Sequence, residues 1–491
     1  MEEAKTIVKY GRVYGVAEVI NRIAGVLLIP LYTHFLSVED YGVYALVYSV
    51  TDFVSVIVGM GLARAMSRFY FDHAENPEMR HKVVSTALLG FFGIGLFLVI
   101  CSYPLSLVIV EIFFGSPEHV FIFALAISAV LFTIFLEIEV GFFLIQKRAM
   151  KYLYISIGKA LLLLGANAFF FFYLKLGVLG IVISSITAFG VLSVTVGIMI
   201  FRETGFGFSN SVFKEMLLFG LPLIPTAMAT AGIHLTQRFF LNTLEGPAAV
   251  GIVALGTRLA SLLQTFIAAP FYKIFFIRRF ETLAKHGDQA NLNQILLIFI
   301  AVVCSGGLFL GLFGNEIIYL IAPEEYKIAA LFIPLLCLSV VIAVIERNFQ
   351  VGLLYQKETK KLSIISIAAL VVSIPLNYLL ISLYGSLGAV LAYLFVWIIR
   401  LFMIVRANSR IGVSKIQLDW LRAIAILALA SVVSTLGYYY WAQEITVPLI
   451  ILKTGLLVGF VLALIVSPLL DPSSRRIIVS LMKKKTEKHL A

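Results

Sequence analysis

Stretches of about twenty apolar residues follow one another along almost the whole 491-residue chain, parted only by short polar loops. A bilayer core of ~30 Å is crossed by about 20 apolar residues in a helix. Lipid is also a solvent in which only helices and closed barrels satisfy their own backbone. Composition agrees: the chain is 61% hydrophobic and 13% charged, whereas soluble domains are roughly half apolar and about a quarter charged. A water-soluble protein of this size could not hide so much apolar surface.

The spans fall near 13–36, 40–63, 83–109, 119–145, 152–175 and 177–201, then near 212–241, 248–272, 292–314, 328–350, 362–384 and 386–406. Two more lie near 420–441 and 446–468. The expected fold is therefore all-α, a polytopic membrane protein of about 14 transmembrane helices.

Charge sets the expected direction of those helices. The net charge is +11, but the Lys and Arg residues sit in alternate loops, a topology signal and not a phosphate-tracking face, so no nucleic-acid partner is expected. Thirty of the 38 basic residues fall on one side, from Lys5, Lys9 and Arg12 through Arg64, Arg68, Lys147, Arg148, Arg202, Lys273, Arg278, Arg279 and Lys285. The series continues with Lys357, Lys360, Lys361, Arg400, Arg406, Arg410, Lys415 and Arg422 to a tail from Arg475 to Lys488. The opposite loops hold Lys175 and Lys327 among acids such as Glu39, Asp40, Glu111, Glu245, Glu316, Glu324 and Glu444. The split predicts a cytoplasmic-membrane protein with both termini in the cytoplasm. Residues 1–12 are polar and lack the apolar core of a cleavable signal, so the first helix is expected to serve as the insertion signal. Cys101, Cys304 and Cys337 lie in apolar stretches without ligand spacing and read as small core residues.

The chain also contains itself twice. Gln146-Lys147 through Lys151, Ile155-Ser156-Ile157 and Asn167 return 210 residues later as Gln356-Lys357 through Lys361, Ile365-Ser366-Ile367 and Asn377. Gly177 and Gly180 return as Gly385 and Gly388, and Glu137 matches Glu346 at nearly the same spacing. Six helices per repeat is an even number, so the halves run parallel: lobes at 1–206 and 207–410, then helices 13 and 14 with a basic tail at 411–491. Parallel repeats of this kind hold substrate between the lobes.

Three segments carry a family resemblance. Tyr32-Thr33-His34-Phe35-Leu36-Ser37-Val38-Glu39-Asp40-Tyr41-Gly42-Val43-Tyr44, Gly61-Leu62-Ala63-Arg64-Ala65-Met66-Ser67-Arg68-Phe69-Tyr70 and Phe219-Gly220-Leu221-Pro222-Leu223-Ile224-Pro225 resemble, in order and spacing, the polysaccharide-biosynthesis flippases. Their superfamily also contains lipid II flippases and multidrug and toxin exporters. The resemblance implies alternating access, a lipid-linked oligosaccharide as substrate, and a polysaccharide polymerase or glycosyltransferases as working partners. It implies no cofactor beyond a coupling H+ or Na+.

Charge inside the membrane is costly and points to function. Glu18 and Arg22 share a face of helix 1; Asp52 lies on helix 2, Glu137 and Glu139 on helix 4, Lys159 on helix 5. Arg238 stands on helix 7, near an end from which it could snorkel; Arg258 is on helix 8, and Glu346 with Arg347 on helix 10. So many charges are expected to line a wet cavity. Arg22, Arg258, Arg238, Arg347 and Lys159 are the candidates for clamping a phosphate or diphosphate, since guanidinium forks match its oxygens and stay charged. Arginines on helices 1 and 8 match by helix those of the lipid II flippases, though helix 2 carries Asp52 where those relatives have a third. Asp52, Glu18, Glu137 and Glu346 are the candidates for ion coupling. The alternative for each is structural pairing, Glu18 with Arg22 or Arg258, and Glu346 with Arg347.

Pro30, Pro222, Pro225 and Pro270 break helical hydrogen bonds, either as hinges or as static bends. Helices 13 and 14, with Trp420 and Trp441 as interface anchors, form either a groove for a lipid tail or peripheral packing. No Walker loop, zinc motif, GxSxG or Rossmann fingerprint occurs, and a transporter is expected, not an enzyme. A cation-coupled drug exporter of the same fold is the competing function, and a membrane glycosyltransferase or polymerase the third.

Overall fold

The computed structural model describes residues 2–272, 275, 279, 289–411, 418–441 and 446–466. The basic residues Lys273, Arg278, Lys285 and Lys415, Glu444, and the tail from Arg475 to Lys488 lie outside the described residues, as do the side chains of Lys5, Lys9, Arg12 and Trp441. All regular structure among the described residues is helical, which is the outcome lipid demands.

Among the described residues, twelve helices are long and apolar enough to cross a membrane. One of them, Thr359–Ile411, has 53 residues and is interrupted at Gly385 (φ 56°, ψ −136°), so it is two spans end to end. A further span is bent: Asn210–Gly220 and Ile224–Glu245 meet at 54° across Leu221–Leu223. Pro222 and Pro225 remove the amides that would carry the helix through. Together these make the fourteen spans expected.

The chain packs as two compact units, one up to Gly251 and one from Ile252. The first contains α1 (Glu2–Phe35), α2 (Val38–Gly59), α3 (Leu62–Asp72), α4 (Pro77–Phe114), α5 (Val120–Ile145), α6 (Ala149–Phe172), α7 (Gly177–Thr204), α8 (Asn210–Gly220) and α9 (Ile224–Glu245). Local chemistry sets their ends. Ser37 caps α2 by accepting from the Asp40 amide at 3.0 Å. Asn76 caps α4 through the Met79 amide, with Pro77 at its first position, where a missing amide costs nothing. The second span continues past residue 63, because α2 and α3 are joined through Met60 and Gly61, both at positive φ.

Helix α10 (Pro247–Leu262) leads into the second unit. It passes into a π-helical stretch, Leu263–Ala268, just before Pro270. There follow α11 (Gln289–Leu312), α12 (Gly314–Ile321), α13 (Ala329–Tyr355), α14 (Thr359–Ile411), α15 (Trp420–Trp441) and α16 (Val447–Val466). Apolar along most of its length, α13 is the most enclosed of the described spans, as a helix in a bundle core is. In contact terms α9 belongs with the first unit, although by repeat it opens the second half; its polar side chains bind α2 and α4, as described below.

The repeat is visible in the backbone. At the end of α5 the amides of Gln146, Lys147 and Arg148 donate to the carbonyls of Phe142, Leu144 and Phe143; at the end of α13 those of Gln356, Lys357 and Glu358 donate to Gly352, Leu354 and Leu353. Lys147 and Lys357 both take positive φ, 57° and 58°, and Gly177 and Gly385 take 55° and 56°. Asn167 and Asn377, both fully buried, each donate to the carbonyl four residues back. Unrelated sequences sharing only lipid-driven composition would not reproduce these turns.

Alanine at Gly177 or Gly385 must hold a positive φ, 55° and 56°, at a cost of roughly 1–3 kcal/mol. Either variant should lower the unfolding midpoint in detergent, whereas Gly165→Ala, in a helix with open space at its Cβ, should leave it unchanged or raise it.

Candidate functional site

In the first unit, helix periodicity places Glu18 and Arg22 one turn apart, and they form an ion pair at 3.0 Å. The guanidinium is nearly enclosed and the carboxylate about one-third exposed. Helix α1 packs along α6 here, where Tyr14 meets Tyr152 edge-on at 5.1 Å. Further along α6, Lys159 lies over the Phe189 ring at 5.1 Å and feels the charge of Glu137, which is exposed.

Arg238 does not snorkel. From α9 it reaches across to α2, where its Nη1 donates to the Ala45 carbonyl at 2.6 Å and to the Ser49 hydroxyl. Tyr41, Tyr44, Tyr48 and Asp52 surround it electrostatically. One turn further, Asn242 donates to the Phe113 carbonyl of α4 at 2.6 Å. These bonds explain why α9 packs with the first unit. Asp52 itself is exposed on α2.

In the second unit, Arg258 and Arg347 are both exposed and have no carboxylate within ion-pairing distance among the described residues. Arg258 shares α10 with Ser261, and Gln264 follows in the π-helical stretch, also exposed. Arg347 stacks its guanidinium on Tyr272 at 5.1 Å, and Tyr272 donates to the Val344 carbonyl at 2.7 Å.

Glu346 is committed elsewhere. It meets Arg400 of α14 at 2.9 Å, with both side chains almost fully buried. Gln350 donates to its two oxygens at 3.1 and 2.9 Å. The Arg400 guanidinium also lies over the Trp397 ring. So the partner of Glu346 is Arg400, not its neighbour Arg347, because residues next to each other on a helix point about 100° apart. The same geometry separates Glu346 from Glu137: the turns repeat at 210 residues and the two acids at 209, so one faces inward and the other outward.

Three residues assigned to loops by charge are in fact interior. Arg400 is one. Arg279 is another: it is buried, donates to the Asn348 carbonyl at 2.7 Å, and burial pushes its guanidinium down to about 10. The third is Glu316, which in α12 pairs with the buried Lys453 of α16. A lone lysine inside a twenty-residue apolar run was the available signal for that last pair.

Helix α15 packs against α11 and α13. Trp420, half-exposed at the start of α15, stacks on Phe349 of α13 at 5.4 Å, 18° from parallel. The cavity bounded by α11, α13 and α15, near Cys304, Leu338 and Ser431, holds about 20 Å³, room for about one water and not for an acyl chain. Among the described residues there is no group of three or more potential metal ligands.

Two bundles of transmembrane helices related by an internal repeat, with charged side chains retained within the spans, define a polytopic membrane transporter. Solved structures of that class share the fold. The lipid II flippase MurJ, inward closed, superposes with a TM-score of 0.68 over 92% of this chain and 98% of its own, at 15% identity. An inward-facing multidrug resistance MATE transporter of the MOP superfamily gives 0.64 over 82% and 96%, at 16% identity. A MOP superfamily transporter from Pyrococcus furiosus gives 0.58 over 84% and 96%, at 16% identity. The polysaccharide biosynthesis protein family matches residues 7–276. The chain belongs to that family. No curated protein sequence matches it.

Removing one member of a buried ion pair costs about 3–5 kcal/mol, while replacing both by apolar groups is close to neutral. Arg400→Met alone should therefore sharply reduce the yield of monodisperse protein. Arg400→Met with Glu346→Leu should recover much of it, as read by size-exclusion chromatography and thermal unfolding.

Proposed function

We propose that this protein is a flippase that moves a polyprenyl-diphosphate-linked oligosaccharide from the cytoplasmic to the outer leaflet of the cell membrane, by alternating access. The observation that supports this reading is the pair Arg258 and Arg347, exposed guanidinium groups within membrane spans with no carboxylate at ion-pairing distance among the described residues. Such a charge is tolerated where it faces water or an anion and not where it faces hydrocarbon. A diphosphate supplies that anion, and a guanidinium binds it bidentately. Tyr272 holds Arg347 in place, and Glu18 orients Arg22 as a further donor.

Membership of the polysaccharide biosynthesis family favours a glycan-bearing cargo over a drug. Cytoplasmic termini follow from the distribution of Lys and Arg, and ion coupling from the acids Asp52, Glu18 and Glu137. The sugar assembled on the carrier implies glycosyltransferases before the step and a polymerase after it.

The test is leaflet transfer of a fluorescent polyprenyl-diphosphate sugar in proteoliposomes. The native protein should transfer it. Arg258→Ala and Arg347→Ala should each reduce the rate by roughly tenfold or more, the value of one or two charged hydrogen bonds, and Arg22→Ala should do likewise. No transfer by the native protein with or without ion gradients, together with export of cationic dyes, would establish the drug exporter instead.

A further inference from the structure

Glu139 stands apart from every other acid in the spans. It lies on α5, facing α7, with no exposed surface, and neither carboxyl oxygen has a hydrogen-bond partner. Among the described residues no cation forms an ion pair with it. The backbone of α7 is directly against it at Gly197, where a Cβ would stand 2.7 Å from Oε1.

The charged and titratable groups of the neighbouring elements are engaged elsewhere or distant. On α7, Glu203 is gripped bidentately by Arg148, at 2.5 and 2.7 Å, and Arg202 is exposed. On α6, Lys159 lies over Phe189 and interacts with Glu137. On α3, Arg68 pairs with Asp72 and lies over Phe219, while Arg64 is exposed and Tyr70 contacts Phe142. Asp52 of α2 is exposed, and Lys82 of α4 is near the start of its helix.

The second unit shows that the helix seam does not need an acid. The repeat offset of 210 puts Phe349 at the position of Glu139, and there α14 closes the seam with Asn408, which donates to the Phe349 carbonyl at 2.8 Å. The acids that unit does bury have partners: Glu346 has Arg400 and Gln350 on its oxygens, and Glu316 has Lys453. A mostly apolar cavity of about 520 Å³ adjoins Gly197; Phe92, Phe132, Phe135 and Phe201 line it together with Ser193 and Arg202, and Glu139 does not reach it. Neither Ser193 nor Arg202 is hydrogen-bonded to the Glu139 carboxyl oxygens.

A buried carboxylate without a partner costs several kcal/mol; a carboxylic acid in the same place costs far less. We propose that Glu139 is a proton-binding site of the first unit, carrying one proton on a carboxyl oxygen while α5 and α7 are packed against each other and exchanging it with water when that seam opens at Gly197. The ligand is H+, and the site is separate from the exposed arginines of the second unit. It does not rest on which substrate is carried.

The test is infrared spectroscopy of the purified protein at neutral pH, comparing native with Glu139→Gln. Subtraction should show loss of one carbonyl stretch of a protonated carboxyl, shifted in D2O. Loss of the paired carboxylate bands would overturn the proposal. Should Glu139→Gln fail to fold, the native protein is treated with dicyclohexylcarbodiimide, which modifies protonated carboxyls in apolar surroundings, and the adducts are mapped by mass spectrometry. Modification at Glu139 with none at the equally buried, ion-paired Glu346 supports the site. Glu139 left unmodified overturns it.

Discussion

In hydrocarbon a peptide group has no water to bond, and from that constraint the rest of this structure follows. Each span closes its own backbone hydrogen bonds as a helix. Where the chain departs from helix inside the spans, a residue that tolerates or forces the departure is found: Gly385 between two spans, Pro222 and Pro225 at the 54° bend, Met60 and Gly61 between α2 and α3. The same constraint acts on side chains. A charge within the spans has to find a partner, reach water, or give up its charge.

The two units meet that demand differently. The second pairs its buried acids, Glu346 with Arg400 and Glu316 with Lys453, and leaves arginines exposed on α10 and α13. The first ties Arg22 to Glu18 and Arg238 to α2, leaves Asp52 and Glu137 exposed, and encloses Glu139 alone. Duplication therefore produced one backbone plan twice with different charge chemistry on each copy. The anion clamp proposed for the second unit and the proton site proposed for the first follow that division.

How much of this was legible follows from periodicity. Apolar runs reveal spans because every residue of a span contributes to the signal. The repeat was legible because Gln146, Lys147, Asn167 and Gly177 sit at turns and buried polar points, where substitution alters backbone or hydrogen bonding. Pairing was legible only when local: Glu18 and Arg22 are one turn apart. The partner of Glu346 lies 54 residues away on α14, and Arg400 read as a loop cation because its span ends in a basic stretch. A one-residue difference in spacing, trivial in an alignment of apolar helices, turned Glu137 outward and Glu346 inward.

The sequence alone determined the membrane class, the helix count, the duplication and the family, because these depend on sums over many residues or on motifs contiguous in the chain. Which charge meets which, and which carboxyl is left without a partner, was decided by the tertiary structure. Those outcomes depend on the rotation of one helix against another, a difference of about 100° per residue that composition and loop charge do not encode.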